Sequence, residues 1–241
     1  MEYTTFAALL HAACEKNRLS IPTESQTRSF FRFTERLVEV NETTNLTAIR
    51  EISDIICKHY VDSLLVSAYI PSGSTVLDLG CGPGFPSIPL AICRPDLSIA
   101  ALDSTAKKIA FVQESAVLLE LSNLNAVVGR AEDANTRKKL GSFDVVTSRA
   151  VARLNVLCEL CLPYVKIGGT LVALKGAKAA EEAAEVTASV KMLGGEPPRI
   201  YEATLHTESG IEARGLVEIR KIAPTPPKYP RPYAAILKKP L

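Results

Sequence analysis

The chemistry of this chain concentrates between residues 76 and 86, which read Val-Leu-Asp-Leu-Gly-Cys-Gly-Pro-Gly-Phe-Pro. There a short apolar run, Thr75 to Leu79, gives way through glycines to a helical pattern. In an open α/β sheet such a strand-to-helix turn is where ligands bind, outside the carboxyl ends of the strands. Gly80 and Gly82 permit a tight turn and let a ligand approach backbone, and Gly84 can continue that approach. Asp78 adds a carboxylate at the strand end. Asp103, with Ser104 behind it, closes the next apolar run in Ala100-Ala-Leu-Asp-Ser. An acidic residue at that point can accept both hydroxyls of a ribose. Glu132 and Asp133, in Gly129-Arg-Ala-Glu-Asp, follow a third run and are placed to meet an adenine amino group. Stabilisation of a helix N-terminus explains the same two acids equally well.

The glycine spacing narrows the ligand. A dinucleotide loop follows G-x-G-x-x-G/A, and its third small residue lets helix and strand pack closely. Counted from Gly80 and Gly82, that place belongs to the bulky Phe85, and the spacing is G-x-G-x-G. A methionine-bearing adenosine cofactor carries a cationic sulfonium and an ammonium and has no pyrophosphate to seat on a helix N-terminus. Carboxylates around the loop suit it better than they suit a dinucleotide, although Asp103 alone fits a nicotinamide enzyme too.

These residues need a frame. Before residue 71, three segments (3–16, 23–40 and 51–69) carry apolar residues at helical spacing, with Pro22 and Thr23 as a start signal. No strand pattern interrupts them, and they form an expected helical cap. From Pro71 the pattern alternates. Strands are expected at 75–79, 98–102, 125–128, 143–147 and 169–174, with helices at 86–93, 104–121, 132–139 and 152–163 between them. A helix over 178–193 and two strands without a helix between them, 199–206 and 215–222, complete the core. Short apolar strands alternating with helices argue for a parallel sheet covered on both faces. The last two fit an antiparallel pair at its edge. The expected fold is α/β: a doubly wound, mostly parallel seven-stranded sheet with one antiparallel strand. Its divisions are a cap (1–70), a core (71–223) and a basic, proline-rich tail (224–241).

Composition excludes several classes. The chain has 241 residues, 47% of them apolar and 22% charged, which suits one large globular unit rather than disorder. No apolar stretch is long enough to cross a bilayer, and the N-terminus lacks a signal peptide's basic flank and apolar run, so the protein is expected to be cytoplasmic. Of six cysteines only Cys158 and Cys161 form C-x-x-C, inside an apolar helical run with no second pair; buried thiols are expected and no metal site. The net charge is only +2, but Lys221, Lys228, Arg231, Lys238 and Lys239 follow one another without an acidic residue. Such a tail can track phosphate or simply be solvated.

Eight segments, taken together, resemble the bacterial ribosomal small-subunit methyltransferase G family, also called glucose-inhibited division protein B. They are Asn45-Leu-Thr-Ala-Ile-Arg, His59-Tyr-Val-Asp-Ser-Leu, Asp78-Leu-Gly-Cys-Gly-Pro-Gly-Phe-Pro, Ile88-Pro-Leu, Leu102-Asp-Ser, Gly129-Arg-Ala-Glu-Asp, Ser148-Arg-Ala-Val-Ala and Leu174-Lys-Gly. Many methyltransferases share the glycine loop; its prolines, the N-L-T-A element and S-R-A-V-A in this order are far more specific. Cys81 stands where the family usually has Thr or Ser, Ser87 where it has Gly, and Pro232, Ala234 and Ile236 depart from its usual tail. The resemblance implies a Rossmann-like class I methyltransferase that transfers a methyl group from S-adenosyl-L-methionine to N7 of a guanine in 16S rRNA near the decoding site. The RNA would be free or within a ribosomal particle, and the enzyme a monomer. It also implies that the cofactor touches Gly80, Phe85, Ala131, Glu132 and Arg149.

N7 of guanine carries no proton, so attack on a methyl carbon needs no general base, and catalysis rests on alignment and electrostatics. Arg149, Lys175, Asn45 and His59 are the positioning candidates, with Asp62 and Ser148 beside them; each could instead be a capping or salt-bridge residue. Arg149 in particular could pair with Glu132 or Asp133. The exocyclic-amine motif N/D-P-P-Y is absent after the fourth strand, and no Pro-Cys supports pyrimidine C5 chemistry. Ribose 2′-O methylation is the alternative among RNA methyltransferases, since Lys175 and Glu218 fill two of its four Lys-Asp-Lys-Glu places. Outside that class stand an NAD(P)-dependent oxidoreductase and an RNA-binding module with a decayed site.

Overall fold

The computed structural model describes residues 1–241. Seven strands form one sheet in the order β3-β2-β1-β4-β5-β7-β6. They are β1 (Thr75–Leu79), β2 (Ser98–Asp103), β3 (Leu124–Val128), β4 (Phe143–Arg149), β5 (Val165–Lys175), β6 (Arg199–His206) and β7 (Ile211–Arg220). The first five are parallel, and β7 runs antiparallel to both of its neighbours. The central β1 sits with Leu77 opposite both Ala100 and Val146. Its residues 76–79 are buried on alternating faces, which is why the run is almost wholly apolar.

One face carries the helices of the first third together with α5 (Ser87–Cys93) and α6 (Ala106–Leu118). Helix α1 (Tyr3–Lys16) packs on α2 (Glu24–Thr44), whose N-terminus is closed by a reciprocal capping box between Thr23 and Gln26. An aromatic chain runs from the cap to the glycine loop: Phe30 to Tyr60 at 4.9 Å, then Phe33 to Phe85 at 5.8 Å and to Phe111 at 5.9 Å. One cluster of 37 buried apolar residues spans Phe6 to Leu216, so cap and sheet share a core rather than touching as two units. The opposite face is covered by α7 (Ala134–Leu140), α8 (Leu154–Cys161), α9 (Ala179–Glu185) and α10 (Thr187–Met192).

Several boundaries differ from the sequence expectation. The segment expected as one helix over 51–69 contains α3 (Ile52–Asp54), a π-helical stretch (Ile55–Val61), α4 (Asp62–Leu64) and a 3-10 turn (Ser67–Tyr69). Helix 178–193 divides into α9 and α10 at Val186, whose φ of −100° and ψ of 1° break the α ladder. Strand β7 begins four residues before its expected start, because an apolar run marks only the buried part of an edge-side strand.

The largest correction is the tail. It folds back on the second face through a short helix, α11 (Tyr233–Lys238), that buries Ile236. Arg231 is committed to the fully buried Glu159, with Nε and Nη2 at 2.8 and 2.6 Å from its two oxygens. Lys221 is buried as well: its ammonium donates to the carbonyls of Leu162 and Leu193 and to the Thr225 hydroxyl. Burial lowers its pKa to about 8. Two of the five cations read as either phosphate-tracking or solvated thus serve the core instead. Cys158 and Cys161 are buried free thiols in α8. No helix is long and apolar enough to cross a membrane.

Candidate active site

A cavity of about 420 Å³ opens at the carboxyl ends of β1 to β4, within the range of small-ligand pockets (roughly 300–1,000 Å³). Gly80, Gly82 and Phe85 form its floor, Asp103 and Ser104 one side, Ala131 and Glu132 the next, and His59 and Arg149 the cap side.

Backbone geometry explains the floor. Gly80 has φ +78°, and a side chain there would collide with Val151. Its N–H and that of Cys81 donate to the Leu102 carbonyl at 2.7 and 3.0 Å, extending the β1–β2 ladder into the loop. Asp103 then ties the loop down. One carboxylate oxygen accepts from the Gly82 N–H at 3.0 Å and the other from the Thr105 N–H at 2.8 Å. A Cβ at Gly82 would meet no atom within 4 Å, so the loop turns an open backbone face toward the cavity.

Of the sequence candidates, Gly80, Gly82, Phe85, Asp103, Ser104, Ala131, Glu132, Arg149 and His59 line the cavity, and Asp78, Gly84, Asn45 and Lys175 do not. Asp78 lies beneath the loop, fully buried, and accepts the Ser87 N–H at the start of α5 at 2.9 Å. Burial raises its carboxyl to about 7, and its other oxygen has no partner. At Gly84 (φ +102°) the missing Cβ makes room for Ile88 and Val112 rather than for a ligand. Asn45 is exposed and ends α2 in a left-handed conformation (φ 50°, ψ 55°), which an asparagine tolerates. Its turn sends Leu46 and Thr47 into the cavity wall. Lys175 pairs with Glu182 at 2.8 Å and donates to the Ala152 carbonyl at 2.8 Å. Glu182 in turn accepts the Leu154 N–H, so this pair shapes the β4–α8 loop from outside the cavity. Ser148 is buried and donates to the Leu79 carbonyl. The two readings of Glu132 and Asp133 divide between them: Glu132 reaches the cavity, while Asp133 caps α7 by accepting the Thr136 N–H at 2.8 Å.

Arg149 does not pair with Glu132 or Asp133. It turns to the π-helical stretch, where one guanidinium nitrogen donates to the Lys58 carbonyl at 2.7 Å and to Asp62 at 2.8 Å. The other donates to Nδ1 of His59 at 3.1 Å. Because a guanidinium can only donate, Nδ1 must accept, and the ring proton sits on Nε2 facing the Thr47 hydroxyl at 2.8 Å. Burial first, and the Arg149 charge second, lower the His59 pKa to about 3, so the ring is neutral. It stacks on Phe85 with centroids 4.3 Å apart and planes 11° apart, and Arg149 lies 5.5 Å over the same Phe85 ring. Asp62, buried, also accepts from Arg214 of β7 at 2.6 Å. Arg214 was missed in the sequence because nothing in its own strand marks it. Asp62 was visible three residues after His59, on the same helical face.

No group of His, Cys, Asp or Glu side chains is arranged to hold a metal ion. The donor set suits an adenosine cofactor with a cationic end: an open glycine backbone at Gly82, an aspartate at the end of β2, and carboxylates at the rim.

The sheet order with its single reversed strand, with this cavity at its carboxyl edge, defines a Rossmann-like fold of the methyltransferase type, and the family match reported below makes the chain an S-adenosyl-L-methionine-dependent methyltransferase. Solved structures agree on the fold. An O-methyltransferase from Bacillus cereus in complex with SAH is 18% identical, with a TM-score of 0.56 over 91% of this chain and 100% of that one. TYW2 from M. jannaschii in complex with AdoMet is 15% identical, with a TM-score of 0.52 over 68% and 76%. The profile of the rRNA small subunit methyltransferase G family matches residues 26–209. Curated relatives named ribosomal RNA small subunit methyltransferase G include one from Brevibacillus brevis, 45% identical over 91% of this chain and 92% of its own. Another, from Oceanobacillus iheyensis, is 41% identical over 96% and 97%. The chain belongs to the rRNA small subunit methyltransferase G family.

Proposed function

We propose that this protein transfers a methyl group to N7 of a guanine in 16S rRNA near the decoding site, acting as a monomer on RNA that is free or within a ribosomal particle. When bound, S-adenosyl-L-methionine supplies an electrophilic methyl group on a cationic sulfur. The observation that carries the choice of acceptor is that the histidine and the carboxylates at the cavity and beside it are already engaged. His59 accepts from Arg149 on one nitrogen and faces Thr47 with the other. Both oxygens of Asp103 accept backbone N–H groups, and Glu132 pairs with Arg130 at 3.2 Å. Asp62 is held between two arginines. Such a site is poorly equipped to take a proton from a ribose hydroxyl, whereas guanine N7 attacks without losing one. Lys175, which a ribose 2′-O mechanism would need at the acceptor, is tied to Glu182 outside the cavity.

In this reading Gly80, Gly82 and Asp103 hold the nucleoside part, Glu132 meets its polar edge, and Phe85 backs the reacting end. Arg149 and His59, stacked over Phe85 and cross-bonded, form a rigid edge against which the guanine is aligned. The test is methyl transfer from labelled S-adenosyl-L-methionine to 16S rRNA, with the product nucleoside identified by mass spectrometry. 7-Methylguanosine is expected; a 2′-O-methyl nucleoside would favour the alternative. Arg149→Lys keeps the charge and loses the fork, and it should lower the rate at least about tenfold, ~1.4 kcal/mol of transition-state stabilisation. Stability should suffer little, because Asp62 keeps Arg214. A wild-type rate for Arg149→Lys would leave that residue a structural bridge.

A further inference from the structure

We infer that Tyr233, on the C-terminal helix, forms the wall against which the cofactor's adenine ring packs, so that the tail is a clasp on the cofactor rather than an arm for RNA. The inference rests on the cavity being the S-adenosyl-L-methionine site. Four observations carry it.

First, Tyr233 lines the cavity although it lies 84 positions beyond Arg149, the nearest-numbered of the sequence candidates there. It is half-buried and packs against the second core. Second, the same cavity wall holds apolar residues: Ala131 after β3, Val151 after β4 and Leu160 of α8. An aromatic ring facing small and branched aliphatic groups makes a slot for a flat heteroaromatic ring. Ala131 follows β3, the strand beside β2 whose end carries Asp103, so a nucleoside whose ribose meets Asp103 would extend its base toward it. Stacking of this kind strengthens binding by roughly tenfold or more per base.

Third, the local structure dictates where Tyr233 points. Pro232 opens α11, and the Ala235 and Ile236 N–H groups bond back to its carbonyl at 2.8 and 3.1 Å. Ile236 is fully buried, which fixes the rotation of the helix; Tyr233, three residues earlier, shares that face one turn nearer the cavity. Fourth, the helix is anchored more firmly than six residues would be by themselves. The Arg231 N–H and guanidinium grip the buried Glu159 of α8, the helix that also carries Leu160. Arg137 of α7 donates to the Tyr229 carbonyl at 2.7 Å. The tail that carries Tyr233 is therefore locked onto α8, the helix that also supplies Leu160 to the cavity wall.

The chain contains no tryptophan, so Tyr233→Trp creates a single emission reporter. Its fluorescence should change saturably as S-adenosylhomocysteine is added, with the midpoint given by calorimetry, while Leu237→Trp, on the exposed side of the same helix, should stay silent. Tyr233→Phe should bind S-adenosylhomocysteine within about twofold of wild type, and Tyr233→Ala should bind it at least about tenfold more weakly. Wild-type affinity in Tyr233→Ala, or a silent Tyr233→Trp in a protein that binds the ligand by calorimetry, overturns the clasp. Wild-type protein that binds no S-adenosylhomocysteine would instead overturn the cofactor reading beneath it.

Discussion

At the scale of single residues, two buried groups pull against each other as pH changes. Asp78, raised to about 7 by burial, resists ionisation in the folded protein. Its contribution is fully present below the unfolded value near 4 and is lost as pH rises toward 7. His59, lowered to about 3, resists protonation. Its contribution is present above about 6.5 and is lost as pH falls toward 3. Across pH 4–6.5 the two slopes oppose, so wild-type stability should be nearly flat from these groups. Asp78→Asn should unmask the histidine and lose stability on acidification; His59→Asn should unmask the aspartate and lose stability as pH rises. Each slope approaches at most about 1.4 kcal/mol per pH unit, readable from urea midpoints at several pH values. Parallel profiles for the two variants would sink the assignment. Asp103 makes a second residue-scale case. Because it holds the Gly82 N–H as well as facing the cavity, Asp103→Ala should cost cofactor binding roughly 1.5–3 kcal/mol in a protein that still folds. Calorimetry showing unchanged affinity would remove it from the site.

At the scale of elements, irregular pieces do the positioning. The π-helical stretch Ile55–Val61 delivers the Lys58 carbonyl and His59 to the end of β4, and Asp62 follows directly after it. Such i→i+5 segments are rare and often mark functional sites. Beside it Ala150, at φ 55°, takes a conformation that an L-residue adopts only at a cost of roughly 1–2 kcal/mol, turning the chain so that Arg149 and Val151 both reach the cavity. The tail is the other decisive element. Removing the Arg231 side chain leaves Glu159 charged inside α8 with the Arg231 N–H as its remaining partner. Arg231→Ala should therefore destabilise the protein by roughly 3 kcal/mol, the low end of the cost of orphaning a buried charge, because water can enter where the arginine was. Arg231→Ala/Glu159→Gln should recover part of that loss. A single variant as stable as wild type would show that the tail is only draped on the surface.

At the scale of the molecule, the cap and the sheet form one folding unit. Phe30 and Phe33 of α2, Tyr60 of the π-helical stretch, Phe85 of the loop and Phe111 of α6 make one aromatic chain. The cluster of 37 buried residues crosses from α1 to β7 without a seam. Heat unfolding should show a single transition, and a fragment starting at residue 71 should lose it. A cooperative melt in that fragment would make the cap an independent domain. The coupling bears on the cavity, since one of its edges belongs to the cap (His59, Thr47) and another to the sheet (Gly82, Asp103), and only a shared core keeps the two in register.

The strands, their parallel order and the glycine loop were legible in the sequence because each is a local pattern: short apolar runs, a strand-to-helix turn without a dinucleotide's third small residue, and an acid at the end of the next run. Family-specific segments such as Ser148-Arg-Ala-Val-Ala were legible for the same reason. What local pattern could not supply is direction and partnership. Asp78 and Asp103 stand near strand ends on the same face of the sheet; Asp78, level with Ala101, stays buried beneath the loop, while Asp103, two residues further along β2, is partly exposed and faces the cavity. Arg149 had acids nearer in sequence, yet it pairs with Asp62, 87 positions away, because β4 ends beneath the π-helical stretch. A run of cations looked like a surface for phosphate, but Lys221 and Arg231 answer to backbone carbonyls and a buried glutamate that only the closed fold brings to them. Tyr233 belongs to the cavity for one reason no window of sequence contains: Ile236 needs the core, and burying it brings the tyrosine to the cavity wall.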